Sequence, residues 1–261
     1  MNDNGKIFDR ALYRSRRARA ATQWSNYDFL KQEAAKRLGE CIEDIARDFP
    51  LALDVGCHNG LLGKVAGLGK VKRWVRCDIE RGFAPQVVCD EEFLPFANES
   101  FDLVASALSL HHVNDLPGAL IQIRRALKPG GVFIAILPGA HTLKELRMSF
   151  TESAAAQGFA LGPRISPFVE VRDAGALLMR AGFSLPVADS DVLEVNYPDP
   201  FALMLDLQGM GEGNVLMQQH RGLTPPSRIA AAVEHYLTHH SQNDGSVNAT
   251  FEFVTMTGWK E

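Results

Sequence analysis

Scarcity narrows the possibilities for this chain first. It has four cysteines, Cys41, Cys57, Cys77 and Cys89, with no CxxC pair and no zinc-ligand spacing among them. That pattern favours a reducing cytosol, and neither a disulfide framework nor a metal site is expected. No apolar run approaches the ~20 residues that span a bilayer. The N-terminus lacks an apolar signal region, so a cytoplasmic location is expected. The glycines form no GxGxxG, so no dinucleotide cradle is indicated, and no GKS or GKT follows them, which excludes a P-loop. A net charge of −4 gives no footprint for general nucleic-acid binding.

What is present is an ordinary globular composition, 46% apolar and 22% charged over 261 residues. Basic residues concentrate only in "DRALYRSRRARA", with Arg10, Arg14, Arg16, Arg17 and Arg19. Such a run reads as a solvated helix face, or as a contact for an acidic partner or an anionic membrane surface.

The next segment, "YDFLKQEAAKRLGECIEDIARDF", carries Leu30, Ala34, Leu38, Ile42 and Ile45 at helical spacing. From residue 49 to 138, short apolar runs alternate with helical stretches: "FPLALDVGC", "LLGKVAGLG", "KRWVRCDIE", "PQVVCD", "SFDLVASALSLHHV", "LPGALIQIRRAL" and "VFIAIL". Alternation of this kind predicts a parallel sheet with helices on both faces. Asp115 or Asn114 is the expected cap of the helix that starts near Leu116. Beyond 138 the pattern changes. An inserted helix and loop are expected at 141–165, and "VRDAGALLMRAGF", "DPFALMLDLQGMGE" and "PPSRIAAAVEHYLTHH" read as further helices. "VADSDVLEVNYP" and "VNATFEFVTMTGW" alternate strictly and read as an antiparallel closing pair. We therefore divide the chain into an N-terminal helical arm (1–48), a cofactor-binding core (49–138), and a cap with closing strands (139–261).

Ligands of doubly wound sheets sit beyond the C-terminal strand ends. Here the first strand-to-helix turn is "DVGCHNG", with Asp54, Gly56 and Gly60. Glycine there removes a Cβ that would block close approach. Asp78 ends the second strand and can accept from ribose hydroxyls, and Asp90 ends the third and can receive an adenine amino group. One acid is readily explained as a helix cap; three at successive strand ends point to one ligand.

In order along the chain, "LALDVGCHNG", "CDIE", "VVCDEEFLPF", "FDLVASALSLHHVND" and "LKPGGVF" resemble the class I S-adenosylmethionine-dependent methyltransferases. The resemblance implies a Rossmann-like α/β fold, a doubly wound, mostly parallel sheet of seven strands, the last of them antiparallel, with N-terminal helices and a helical cap. It implies that S-adenosylmethionine is bound, with S-adenosylhomocysteine as product, by Asp54, Gly56, Cys57, His58, Gly60, Asp78, Ile79, Asp90, Glu91 and Leu108. The loop of Asp54–Gly60 would hold the methionine part, Asp78 the ribose, and Asp90 and Glu91 the adenine. Where this family usually has glycine, the chain has His58. Histidine tolerates left-handed backbone better than most residues, and its ring would lie beside the methionine part.

A narrower resemblance covers nearly the whole chain. "IFDRALYRSRRARA", "DEEFLPF", "ALSLHHVNDLP", "TLKELR", "ISPF", "VNYPDPFALMLDLQGMGEGN", "DGSVNATF" and "GWK" are similar to the mitochondrial complex I assembly factors that hydroxylate arginine. The malonyl carrier-protein O-methyltransferases of biotin synthesis resemble it more distantly. The match begins by Phe8, which leaves little room for a transit peptide, so a bacterial member is expected. The resemblance implies a complex I iron–sulfur subunit or an acyl carrier protein as partner, and contact with the inner membrane surface at most.

Methyl transfer from a sulfonium needs alignment and sometimes a base. His111 and His112 are the catalytic candidates, although one packing under the loop and one touching the cofactor is the simpler reading. With Asp115 they suggest a two-histidine, one-carboxylate metal site. Against it, adjacent side chains on an extended strand point apart, and capping accounts for Asp115, so no metal is expected. Arg147, Tyr197, Gln208 and Glu212, with Met210, Gly211 and Asn214, are the expected substrate-side residues of the cap. For Tyr197 and Met210, burial is the simpler role. The surviving functions are methyl transfer to a small, carrier-bound or protein acceptor, arginine hydroxylation during complex I assembly, and a non-catalytic cofactor-binding scaffold.

Overall fold

The structure is a computed structural model that describes residues 5–158, 163–218 and 224–261. Seven strands form one sheet: β1 (Ala52–Val55), β2 (Trp74–Asp78), β3 (Val87–Val88), β4 (Phe101–Ala107), β5 (Leu127–Pro138), β6 (Ser184–Tyr197) and β7 (Val247–Trp259). Their order is β3-β2-β1-β4-β5-β7-β6. The first five run parallel, β7 pairs antiparallel with β5, and β6 antiparallel with β7. The order reverses between β1 and β4, which opens a crevice at their carboxyl ends.

Helices cover both faces because both faces are apolar. Along β5, Val132, Ile134 and Ile136 enter one core and Phe133, Ala135 and Leu137 the other. The first core receives α2 (Phe29–Asp44) through Leu30, Ala34, Leu38 and Ile42. These are the residues that helical spacing selects, and Ile45 falls just past the helix end. Burying each leucine-sized side chain contributes ~1.5–3 kcal/mol. The second core receives α4 (Leu116–Ala126) and α6 (Val171–Arg180). Asp115 caps α4 by accepting from the Gly118 amide at 2.9 Å.

Two local expectations change. The helix after β1 shrinks to one turn, α3 (Leu62–Val65), because Ala66 turns extended and Gly67 follows at φ +63°. The apolar run after β4 is not strand to its end. Leu108 takes φ +47°, and Leu110–His112 winds into a 3₁₀ turn. Further on lie α5 (Lys144–Ala156), α7 (Pro200–Gly209) and α8 (Pro226–His240), all on the face of the first core. The expected insertion at 141–165 is thus helical over α5; its residues 159–162 lie outside the described residues.

The basic arm is helix α1 (Arg10–Ala21), capped by Asp9. Tyr13, Arg17 and Ala20 are buried on one face, with Arg10 beside them, while Arg14 and Arg19 face outward. Two of the five arginines, Arg10 and Arg17, therefore turn inward rather than joining a solvated face.

Candidate active site

The crevice begins at the Asp54–Gly60 loop. Gly56 takes φ +67°, and a Cβ on it would lie 1.8 Å from Ser109 Oγ. Gly56→Ala should therefore cost ~1–2 kcal/mol for left-handed backbone and ~1–3 kcal/mol for overpacking. Urea unfolding reads both, and adding Ser109→Gly should recover only the second part. An unchanged midpoint would show that the loop does not hold this shape.

His58 is left-handed as expected, at φ +48°. Its ring stacks 4.5 Å from Trp24 and is fully enclosed. Arginine can only donate, so the Arg17 Nη1 contact at 2.6 Å makes His58 Nε2 the acceptor. Nδ1 then carries the proton and donates to Gly56 O at 2.8 Å. Burial, and then the Arg17 charge, push the imidazole pKa well below its ordinary value.

The strand-end acids sit where expected, and two of them, Asp78 and Asp90, already have partners. Arg17 Nη2 donates to Asp78 Oδ2 at 2.5 Å, in a pair that is 1% and 0% exposed. The same oxygen accepts from the His58 amide, and Asp78 Oδ1 accepts from the Glu80 amide. Arg10 donates to Asp90 at 2.7 Å and pairs with buried Glu91, which also accepts from Ser109. Ile79 packs with Phe8, Tyr13, Val215 and Leu216. On the loop's other side, Lys31 Nζ donates to Gly56 O at 3.0 Å and Ala107 O at 2.6 Å. Burial pushes its pKa down to about 8. Asp54 is enclosed, with no hydrogen bond to either carboxylate oxygen. Burial raises its pKa to about 7, against the opposing pull of Lys31.

S-adenosylmethionine brings a ribose diol that needs a free carboxylate and an ammonium that needs carbonyl acceptors. Arg17 of α1 holds the ribose acid, Lys31 of α2 holds the carbonyls, and Arg10 of α1 holds the acids for the adenine. The residues as arranged do not fit the cofactor.

Beside the loop, between the sheet and the cap, lies a cavity of about 230 Å³. Trp24, Tyr27, Leu143, Phe168, Met204 and Phe251 contribute apolar walls. His111, His112, Gln208 and Glu212 supply polar groups. The 3₁₀ turn brings the two imidazoles together, with ring centres 4.2 Å apart, instead of splaying them as a strand would. His111 Nε2 lies 3.0 Å from Glu212 Oε2, and His112 Nδ1 3.7 Å from the same oxygen. Burial alone would raise the Glu212 pKa, but the two histidines and Arg17 outweigh it and hold it below the carboxylate range. Leu108 also lines this cavity, and Cys57 is buried under the loop.

Two substrate-side candidates lie elsewhere. Arg147 faces a second hollow, with Ile7 and Pro163, and donates to Ala140 O. Tyr197 is buried in the first core. Sequence reasoning missed Lys31, Trp24 and the inward turn of Arg10 and Arg17. The available signals were a lysine next to the apolar stripe of α2, and Arg10, Tyr13, Arg17 and Ala20 at spacings of three and four on α1.

The sheet order and the crevice define a class I methyltransferase fold. Residues 53–135 match the family model described as "Methyltransferase domain". Solved structures agree at the level of fold. The YcgJ protein of Bacillus subtilis aligns with TM-score 0.60 at 16% identity, over 86% of this chain and 97% of that one. A methyltransferase-like protein of Bacillus halodurans gives 0.57 at 17% identity, over 87% and 99%. The human protein "Arginine-hydroxylase NDUFAF5, mitochondrial" is 43% identical over 97% of this chain and 77% of its own length. The malonyl-[acyl-carrier protein] O-methyltransferase of Methylovorus is 30% identical over 100% and 92%. The chain belongs to the arginine-hydroxylase NDUFAF5 family, and it is an enzyme built on a methyltransferase domain.

Proposed function

We propose that this protein hydroxylates an arginine side chain of a partner protein, an iron–sulfur subunit of respiratory complex I. One observation carries the choice over methyl transfer. The acceptors a methyl donor needs are held by Arg17, Lys31 and Arg10, whereas the cavity at His111, His112 and Glu212 is free. At about 230 Å³ it suits one extended side chain. Drug-sized ligands occupy ~300–1,000 Å³. Its apolar walls match the methylenes of an arginine. Hydroxylation balances with dioxygen and an external two-electron reductant. One oxygen atom enters a C–H bond, and the other leaves as water with two protons. Among the described residues no helix is long and apolar enough to cross a membrane, and we place the enzyme in the cytoplasm, at the inner membrane surface where such a subunit is assembled.

The test is mass spectrometry of complex I subunits from cells with and without this protein, grown under ¹⁸O₂. The expected result is one arginine that carries a labelled oxygen only when the protein is present. A methyl group in its place, or no difference, would overturn the reading. In the second reading S-adenosylmethionine binds after α1 leaves and Lys31 of α2 yields the carbonyls it holds, and a carrier-bound or small acid is methylated. The unpartnered Asp54 carboxylate and the malonyl carrier-protein relative favour it. Release of S-adenosylhomocysteine with a malonyl carrier protein would support it.

A further inference from the structure

His111, His112 and Glu212 offer three ligand atoms, all within 4.8 Å of one another, on the wall of the cavity. We propose that they bind a divalent first-row transition metal, iron(II) in the working enzyme. The proposal deepens the hydroxylase reading and rests on it for the choice of metal, though not for the donor set.

Three observations converge. Ligand atoms ~2.1 Å from a metal, at angles of 90–109°, lie ~3.0–3.4 Å apart. The separations to Glu212 Oε2 here are 3.0 Å from His111 Nε2 and 3.7 Å from His112 Nδ1. All three ligand atoms lie within 4.8 Å of one another, so His112 must close toward the other two. Second, His112 Nδ1 is buried and makes no hydrogen bond, although it faces a carboxylate. In the tautomer in which Nε2–H donates to Ser166 Oγ at 3.3 Å, Nδ1 presents a lone pair to a carboxylate oxygen. Two electron-rich atoms then face each other, and a cation between them resolves the conflict. Third, the Ser166 bond is the outer contact that orients ligating histidines. Two imidazoles and one carboxylate on a cavity wall leave open coordination positions, the donor set of non-haem iron oxygenases. The carboxylate comes from Glu212, 100 residues downstream, rather than from Asp115, which is committed to the cap of α4.

Anaerobic titration of the full chain with cobalt(II) as probe, followed by competition with iron(II) and with zinc(II), tests the site. One cobalt ion per chain should bind, with visible ligand-field bands, and iron(II) in excess should compete for the same site. Glu212→Gln preserves shape and should weaken cobalt binding by at least about tenfold. His111→Gln with Glu212→Gln should abolish it, and thermal melting checks that both variants fold. No uptake by the wild type, or equal uptake by wild type and the double variant, would overturn the proposal and show a hydrogen-bonded polar cluster only. Failure of iron(II) to compete even in large excess would overturn the assignment of iron. Arginine hydroxylation that persists in fully chelated protein would overturn the metal while leaving the function. Metal binding without hydroxylation would leave the site and overturn the function.

Discussion

Arg17→Ala is expected to destabilise the protein by about 3–5 kcal/mol, because it leaves a buried carboxylate without its partner. Arg17 and Asp78 are both enclosed, and His58 Nε2 loses its donor in the same step. Urea unfolding measures the loss. Arg17→Leu combined with Asp78→Leu should recover only part of it, since a packed apolar pair avoids the desolvation of both charges but leaves the His58 and Glu80 amides without their acceptor. Arg17→Lys should not, because an ammonium lacks the planar fork that reaches Asp78 and His58 together. A loss under ~1 kcal/mol would mean that the pair behaves like a surface ion pair. The folded Arg17→Ala protein carries a second readout. It frees Asp78 Oδ2, so calorimetric titration with S-adenosylmethionine should show tighter binding than the wild type. Equal affinity would show that α1 does not stand between this site and the cofactor.

The second large effect is a pH dependence centred on Asp54. Its pKa stands at about 7 in the fold, against ~4 in an unfolded chain. Between those values the folded state holds the proton that the unfolded state has lost. The contribution of Asp54 to stability is thus complete below pH ~4 and is lost as pH rises to about 7, by up to ~1.4 kcal/mol per pH unit. Asp54→Asn does not titrate. The difference in unfolding free energy between wild type and Asp54→Asn should therefore fall steadily across this window. A flat difference would show that Asp54 ionises like a solvated carboxylate. Lys31 has the opposite sense at higher pH. Its pKa is lowered to about 8, so the unfolded state binds more protons above that value and stability rises with pH. Lys31→Met should remove that rise.

Most of the fold was legible because each part has a local cause. Apolar runs that end in an acid or a glycine gave β1, β2 and β3, and alternation gave the closing pair β6 and β7. Helical spacing on α2 selected its buried residues, and Asp115 announced the start of α4. The site was legible in position and not in state. Asp54, Asp78 and Asp90 were placed at strand ends by the same patterning, and His58 was expected to be left-handed, as it is. What engages them was not legible. A guanidinium that reaches from residue 17 to residue 78 leaves no local mark on either segment.

The sequence by itself determined the order of elements, the methyltransferase domain, and the membership of the chain in a family of arginine hydroxylases. These follow from periodicity, turn chemistry and blocks of residues, all of which act over short stretches. Only the tertiary structure decided which charges meet. It seated Arg10 and Arg17 on the acids and Lys31 on the carbonyls of the cofactor loop. It wound His111 and His112 into one turn and brought Glu212 to them from the cap. The reason is physical. A buried charge must find a partner wherever the packing puts one, and packing is settled by the whole core rather than by the neighbours of any one residue.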